Sequence, residues 1–312
     1  MRRRIRALDP AIAIPFAIFT LIWGSTWIVI RDQIGDGGVV SPHWSVSYRF
    51  LIAAVAMAVI AIVRGDRLWL GRKGLAPALV IGVTQFCMNF NSVYLAERHI
   101  TSGLVATFFA LLLIPNAILG FFFLEQKVNR RFVIGSAIAV VGIGMLFAHE
   151  FRLGRATAAD LAVGLTLTLT GMLAASTANI YQALQKVRRF PLIPLLGWSM
   201  AIGAALDALL AFTVAGPPTF DARPAYAVGL LYLALAASCL AFSLYFPVVR
   251  KIGPARAAYS SVMVPIIAMA LSTLFEGYRW SLLSAAGATL ALGGMLVALG
   301  GRPKIAPAPD AA

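Results

Sequence analysis

Charge is scarce in this chain. Asp, Glu, Lys and Arg make up 12% of its 312 residues, about half the share found in an ordinary soluble domain. Only three histidines are present, His43, His99 and His149, and they lie far apart. No His/Cys/Asp/Glu spacing suits a metal, and no Gly-rich loop suits a phosphate. Asp-rich segments of the kind that hold a diphosphate through magnesium are missing, as is any Ser-His-Asp or paired-carboxylate pattern. Enzymatic chemistry therefore has little to stand on, and no cofactor is expected. The two cysteines, Cys87 and Cys239, fall inside apolar runs and read as small apolar helix residues rather than a disulfide or metal pair. The formal net charge of +14 invites a nucleic-acid reading. The basic residues, however, sit in short clusters between apolar runs, the pattern of cytoplasmic loops, so no nucleic-acid partner is expected.

What is present is hydrocarbon: 60% of the residues are apolar. Runs near 11–31, 42–63, 75–95, 102–124, 132–149, 160–184, 192–215, 225–249, 255–275 and 280–300 each approach the ~20 residues that span a bilayer. The expected fold is an all-α polytopic membrane protein of ten transmembrane helices, with the lipid bilayer as its main partner. The first run has no small-residue cleavage site after it and reads as a retained helix. Arg2, Arg3, Arg4 and Arg6, Arg64 to Lys73, Lys127 to Arg131, Lys186 to Arg189, Arg250 to Arg256, and Arg302 with Lys304 fall on one side. The other side receives Arg31, Arg98, Arg152, Arg155, Arg223 and Arg279. This bias places both termini in the cytoplasm. Trp44, Trp69 and Trp280 fall at expected membrane–water boundaries, where amphipathic rings are favoured. Residues 301–312 read as a disordered cytoplasmic tail.

One stretch is written twice. Residues 100–146 and 252–296 share an outline in which Pro115 is echoed by Pro265, Glu125 by Glu276, Gly135 by Gly287 and Gly142 by Gly294. Ser25-Thr26 is echoed by Ser176-Thr177, and Tyr94 by Tyr245. Two repeats follow, 11–149 and 160–300. Five spans in each is an odd number, so the second half enters the bilayer from the opposite side. Inverted halves of this kind build secondary transporters with a central midplane site.

Uncharged polar residues inside the spans are the candidates for that site. Gln85, Asn89 and Ser92 share a helical face, with Tyr94 nearby. Thr166, Thr170, Thr177 and Tyr181 share another, beside Ser176 and Asn179. Ser238, Phe242 and Tyr245 line up in the eighth span, Tyr259 and Ser260 open the ninth, and Trp23, Trp27 and Ser25 lie in the first. Such faces should point inward, either to bond neighbouring helices or to line a cavity. Pro115 and Pro265 fall mid-span; each frees a carbonyl four residues back and reads as a packing kink or a gating hinge. Asp207 and Arg49 are intramembrane charges, functional candidates by default, although either could reach an interface. Glu125 and Glu276 read as span-end anchors. Gly135 with Ala139 and Gly287 with Ala291 allow close helix packing. Scarce charge points to a neutral or zwitterionic ligand, since a phosphate would call for Lys or Arg.

The Trp23-Gly24-Ser25-Thr26-Trp27 stretch, Arg49-Phe50, Thr101-Ser102 through Pro115 to Glu125, and Gly135 to Gly142 resemble the EamA-type branch of the drug/metabolite transporter superfamily. Within it the chain is similar to the YddG-type aromatic amino acid exporters. The resemblance covers about residues 11–300. It implies a cavity lined by spans 1, 3, 4, 6, 8 and 9, with spans 2 and 7, and hence Arg49 and Asp207, more peripheral. The second half departs from the pattern, having Ala174-Ala175-Ser176-Thr177-Ala178 where the first has WGSTW. The function implied is export of amino acids, aromatic ones foremost, or similar metabolites across a bacterial inner membrane by alternating access. The alternatives are efflux of cationic or amphipathic drugs, or a channel. A single chain of this kind is sufficient as a monomer. Alkaline phosphatase fused after Arg152 is expected to be active, because that loop should face away from the cytoplasm; an inactive fusion would reverse the topology.

Overall fold

A chain in hydrocarbon must satisfy its backbone groups internally, and helices do so within one segment. The computed structural model describes residues 10–34, 39–126, 128–153, 156–252 and 260–299, and these are helical apart from short connections. The helices are α1 (Pro10–Ile34), α2 (Pro42–Val63), α3 (Gly71–Ala96), α4 (Ser102–Leu124), α5 (Arg130–Arg152), α6 (Ala158–Ala183), α7 (Leu192–Ala215), α8 (Pro224–Leu231 continuing through Tyr232–Leu240 and Ala241–Ile252), α9 (Ser260–Phe275) and α10 (Leu282–Leu299). Eight of them, α1 to α8, are long and apolar enough to cross a membrane; the described apolar parts of α9 and α10, Met263–Phe275 and Leu282–Ala298, are shorter. The protein is a polytopic membrane protein.

Local chemistry sets the helix ends. Proline occupies the first turn of α2 and of α8, where its missing N–H costs nothing. At α6, Thr157 and Asp160 cap each other: the Thr157 Oγ1 accepts the Asp160 N–H at 3.0 Å, and Asp160 Oδ2 accepts the Thr157 N–H at 3.2 Å. Asn129 caps α5 by accepting the Phe132 N–H at 2.8 Å. Glu125, which closes α4, sits in the left-handed region at φ 54° and is exposed. Between α7 and α8, Asp221 accepts the Arg223 backbone N–H at 2.9 Å and its Nε at 2.7 Å, which holds the Asp221 carboxyl below the usual range.

Two side-by-side pairs flank the bundle, α2 with α7 and α5 with α10. The second depends on glycine. A Cβ on Gly142 would lie 2.3 Å from the Ala291 nitrogen and 2.5 Å from the Gly287 oxygen. One on Gly135 would lie 2.5 Å from the Gly294 oxygen, and one on Gly294 would lie 2.6 Å from the Gly135 oxygen. Each glycine thus meets the echo of the other, Gly135 against Gly294 and Gly142 against Gly287, backbone against backbone. The outward surface is apolar, with Leu51, Val55, Val59, Ile62 and Val63 on α2 and Phe121, Phe122 and Phe123 on α4 exposed.

Gly142→Ala should therefore push α5 off α10 and cost about 1–3 kcal/mol, the range for overpacking. Gly144→Ala has nothing within 4 Å of its new methyl and should leave stability unchanged or slightly raised. Thermal unfolding of the two purified variants checks the contrast.

Candidate functional site

α3 and α8 each widen into a π-helical stretch at midspan, Gly82–Asn89 in one and Tyr232–Leu240 in the other. These are echoing positions, about 150 residues apart, and turns of this type gather at functional sites. Neighbours approach the first one closely. A Cβ on Gly82 would lie 2.8 Å from the Ser199 oxygen, and one on Gly203 would lie 2.6 Å from Phe86 Cβ. In the second, Ser238 Oγ donates to the carbonyl five residues back, Leu233 O, at 2.8 Å. The Ala237 carbonyl in the same stretch accepts the Trp23 indole N–H at 3.2 Å.

Against the first stretch, and just past the second, lies a cavity of about 150 Å³, a volume that suits a ring the size of benzene. Its walls come from α1, α2, α3, α4, α6, α8 and α9. A continuous chain of aromatic rings runs along one side, with Trp23, Tyr245, Phe242 and Phe90 at the wall and Phe86 and Phe50 behind it. Trp23 meets Tyr245 at 4.9 Å and Phe242 at 5.3 Å, Phe242 meets Phe86 at 5.6 Å, Phe86 meets Phe50 at 4.9 Å, and Phe50 meets Phe90 at 4.8 Å between centroids. The chain ends beneath Arg49, whose guanidinium carbon stands 4.4 Å above the Phe90 ring. Facing these rings are Gln85, Asn89, Asn116 and Asn179. Four lining residues present a buried polar atom with no hydrogen-bond partner: Arg49 Nη1, Trp27 Nε1, Asn89 Oδ1 and Asn116 Oδ1. The first two donate and the last two accept.

A polar cluster stands next along the helices from the lining residues Ile30, Val93 and Ala106. Arg31 donates to the Glu97 carbonyl and stands 4.0 Å from the Glu276 carboxylate. Ser102 donates to Glu276 Oε2 at 2.7 Å, and Ser272 donates to the same oxygen. Helices α1, α4 and α9 are thereby tied to the end of α3. Glu97, one residue past α3, is fully buried and neither carboxylate oxygen has a partner. Burial pushes its pKa well above the usual carboxylate range; Glu276 adds to that, while Arg31 and Arg49 oppose it.

The residues singled out from sequence distribute unevenly. Trp23, Gln85, Asn89, Asn179, Tyr245, Ser260 and Pro265 line the cavity. Ser238 stands behind it, accepting from Arg49 Nε at 3.0 Å. Tyr94 is fully buried but donates to Gln33 Oε1 at 3.2 Å instead. Ser25 pairs with the Tyr232 hydroxyl at 2.6 Å, and Thr26 takes its place at the wall. The threonine face of α6 points outward rather than inward. Thr166, Thr170 and Thr177 are exposed, and their hydroxyls donate to Ala162, Thr166 and Leu173 carbonyls at 2.8, 2.9 and 2.9 Å. Back-bonding to its own helix removes the need for a polar neighbour. Tyr181 is half-buried below Lys186, outside the cavity wall. Pro115 is buried within α4, just past a 3₁₀ turn at Ala110–Leu112. Tyr259 lies outside the described residues.

Arg49 was expected at the periphery and is instead part of the wall; its long side chain carries the charge inward from α2. Trp27, Asn116 and Phe90 join it, and only Trp27 carried a positional signal in the sequence. Asp207 does lie apart from the cavity. It accepts from Asn91 Nδ2 at 2.7 Å, and Asn91 Oδ1 in turn lies 2.5 Å from His43 Nδ1, a buried network across α2, α3 and α7.

The profile of the EamA-like transporter family matches twice, over residues 11–148 and 162–300. Protein PagO of Salmonella typhimurium is 25% identical over 279 residues, 87% of either chain. The uncharacterized inner membrane transporter YedA of Escherichia coli K12 is 29% identical over 280 residues, 88% of this chain and 85% of its own. A probable amino-acid metabolite efflux pump of Salmonella typhimurium is 23% identical over 289 residues, 90% of this chain and 92% of its own. One solved structure, 17% identical, shares the fold with a TM-score of 0.69 over 92% of this chain and 96% of that one. The chain belongs to the EamA-like transporter family, and it is a membrane transporter, not an enzyme.

Proposed function

We propose that the protein exports amino acids, aromatic ones foremost, by alternating access around the central cavity. The observation that carries this is the complementary set of unpartnered buried atoms on residues that line the cavity. Asn89 Oδ1 and Asn116 Oδ1 can accept from an ammonium; Trp27 Nε1 and Arg49 Nη1 can donate to a carboxylate. The lining rings Trp23, Phe242, Tyr245 and Phe90 offer edges and faces to a flat apolar side chain. A relative described as a probable amino-acid metabolite efflux pump supports the reading. Efflux of cationic drugs fits less well, because the described lining residues include Arg49 and no carboxylate.

The two halves act as inverted five-helix repeats, 11–149 and 160–300, in an inner membrane with both termini cytoplasmic. Support comes from the double family match and from wide turns at echoing places in α3 and α8. Rocking one half against the other requires joints at equivalent places, a role suited to Pro115 and Pro265. The Arg31–Glu276 cluster then latches one end while the other admits substrate.

Proteoliposomes should show saturable counterflow of labelled phenylalanine; ohmic flux without saturation, or none of any aromatic amino acid, would refute the carrier reading. Asn89→Ala should reduce counterflow about tenfold or more per molecule, the scale of one lost charged hydrogen bond. Thr177→Val, on the outer face of α6, should leave it unchanged. Pro265→Ala should lower transport while surface abundance holds, and equal transport per molecule would remove the hinge.

A further inference from the structure

The Arg49 guanidinium is the charge that the cavity wall carries among the described residues. It is fully buried, and what surrounds it does not neutralise it. Ser238 Oγ takes the Nε hydrogen at 3.0 Å. Phe90 and Phe50 lie under the guanidinium carbon at 4.4 and 5.2 Å. The rings orient the plane and hold it by cation–π attraction, yet they carry no charge. Tyr94, whose hydroxyl interacts with the guanidinium by hydrogen bonding, and Tyr232 and Cys239 nearby bring hydroxyls and a thiol to it rather than a carboxylate. Glu97 feels Arg49, but no ion pair within 4 Å joins the two among the described residues, whose carboxylate contacts to arginine involve Arg31, Arg64 and Arg223. Nη1 is left buried and without a hydrogen-bond partner, on a side chain that lines the cavity.

A structural arginine inside a membrane bundle is normally satisfied by a carboxylate or by several carbonyls, since an unpaired buried charge is costly. Here the Nε side is satisfied and the Nη1 side is not. The packing fixes the plane before any ligand arrives, and a planar fork held in place suits a carboxylate. We infer that Arg49 is the carboxylate anchor of the cavity, so that the transported molecules are small carboxylates, with a free carboxylate required and the side chain secondary. This rests on reading the cavity as the substrate site, and it goes further than the amino-acid reading by ranking the carboxylate above the aromatic ring. Trp27 Nε1 is placed to donate alongside Arg49 Nη1, whereas Asn89 and Asn116 choose, by accepting, an ammonium-bearing acid over a simple one.

The test uses matched acids and amides on the purified full chain in nanodiscs, read by isothermal titration. The pairs are phenylalanine with phenylalaninamide and leucine with leucinamide, with 3-phenylpropanoate added as an acid without an ammonium. The expected result is that the acid of each pair binds at least tenfold more tightly than its amide. Arg49→Gln should remove that difference, and Arg49→Lys should retain part of it. Amides binding as tightly as acids to the unaltered protein would overturn the inference, as would an Arg49→Gln variant that keeps the acid preference. The comparison within the unaltered protein decides the matter even if the Arg49→Gln variant does not fold. Equal affinity for leucine and phenylalanine, with the acid preference intact, would instead remove only the aromatic preference.

Discussion

In a bilayer, a leucine is as well placed against an acyl chain as against another leucine, so apolar burial alone gives helices no reason to associate. Cohesion comes from close backbone approach and from interhelical hydrogen bonds. The crossing of α5 and α10 shows the first in its extreme form, with Gly135, Gly142, Gly287 and Gly294 leaving no room for a Cβ. The α2–α7 pair adds the second, with Ser47 donating to the Ala204 carbonyl at 3.0 Å and the His43–Asn91–Asp207 network close by. Once these flanking pairs hold, the remaining helices can stand around a space rather than fill it. The cavity is tolerable because the load of holding the bundle together is borne elsewhere.

The wide turns in α3 and α8 connect that scaffold to the site. A π-helical stretch shifts the helical register, so side chains that an α-helix would spread over its surface are turned toward one side. In α3 this buries both Gln85 and Asn89 against the cavity. In α8 it sets Ser238 under Arg49 and the Ala237 carbonyl under Trp23. One indole and one guanidinium are therefore both oriented by the same irregular segment. The aromatic chain between them makes the wall stiff, since each ring leans on the next.

Much of the fold is legible in the sequence because the bilayer imposes a length. Each of α1 to α10 falls where a run of apolar residues of nearly that length stands, and boundaries shift by only a few positions, as where α3 begins at Gly71 rather than near residue 75. The site is less legible, for three physical reasons. Arg49 belongs to a flanking helix, and only the reach of its side chain brings the charge to the wall. The wide turns have no composition that marks them. Threonine on α6 looks polar in a sequence but spends its hydroxyl on its own backbone, so spacing alone assigned that face to the interior.

Those threonines have a bearing on how the protein meets its surroundings. With the Thr166, Thr170 and Thr177 hydroxyls turned back to carbonyls of their own helix, the outward atom of each side chain is its methyl group. To the acyl chains, α6 is then a surface of methyls alternating with the exposed Leu165, Leu169 and Leu173. A hydropathy scale charges each threonine for a hydroxyl that the lipid never touches. The same bonds draw on carbonyls already engaged in the helix, which tends to bend it. A row of them along one side gives α6 the means to curve without a proline, wrapping a wall around the space that the rigid pairs leave open.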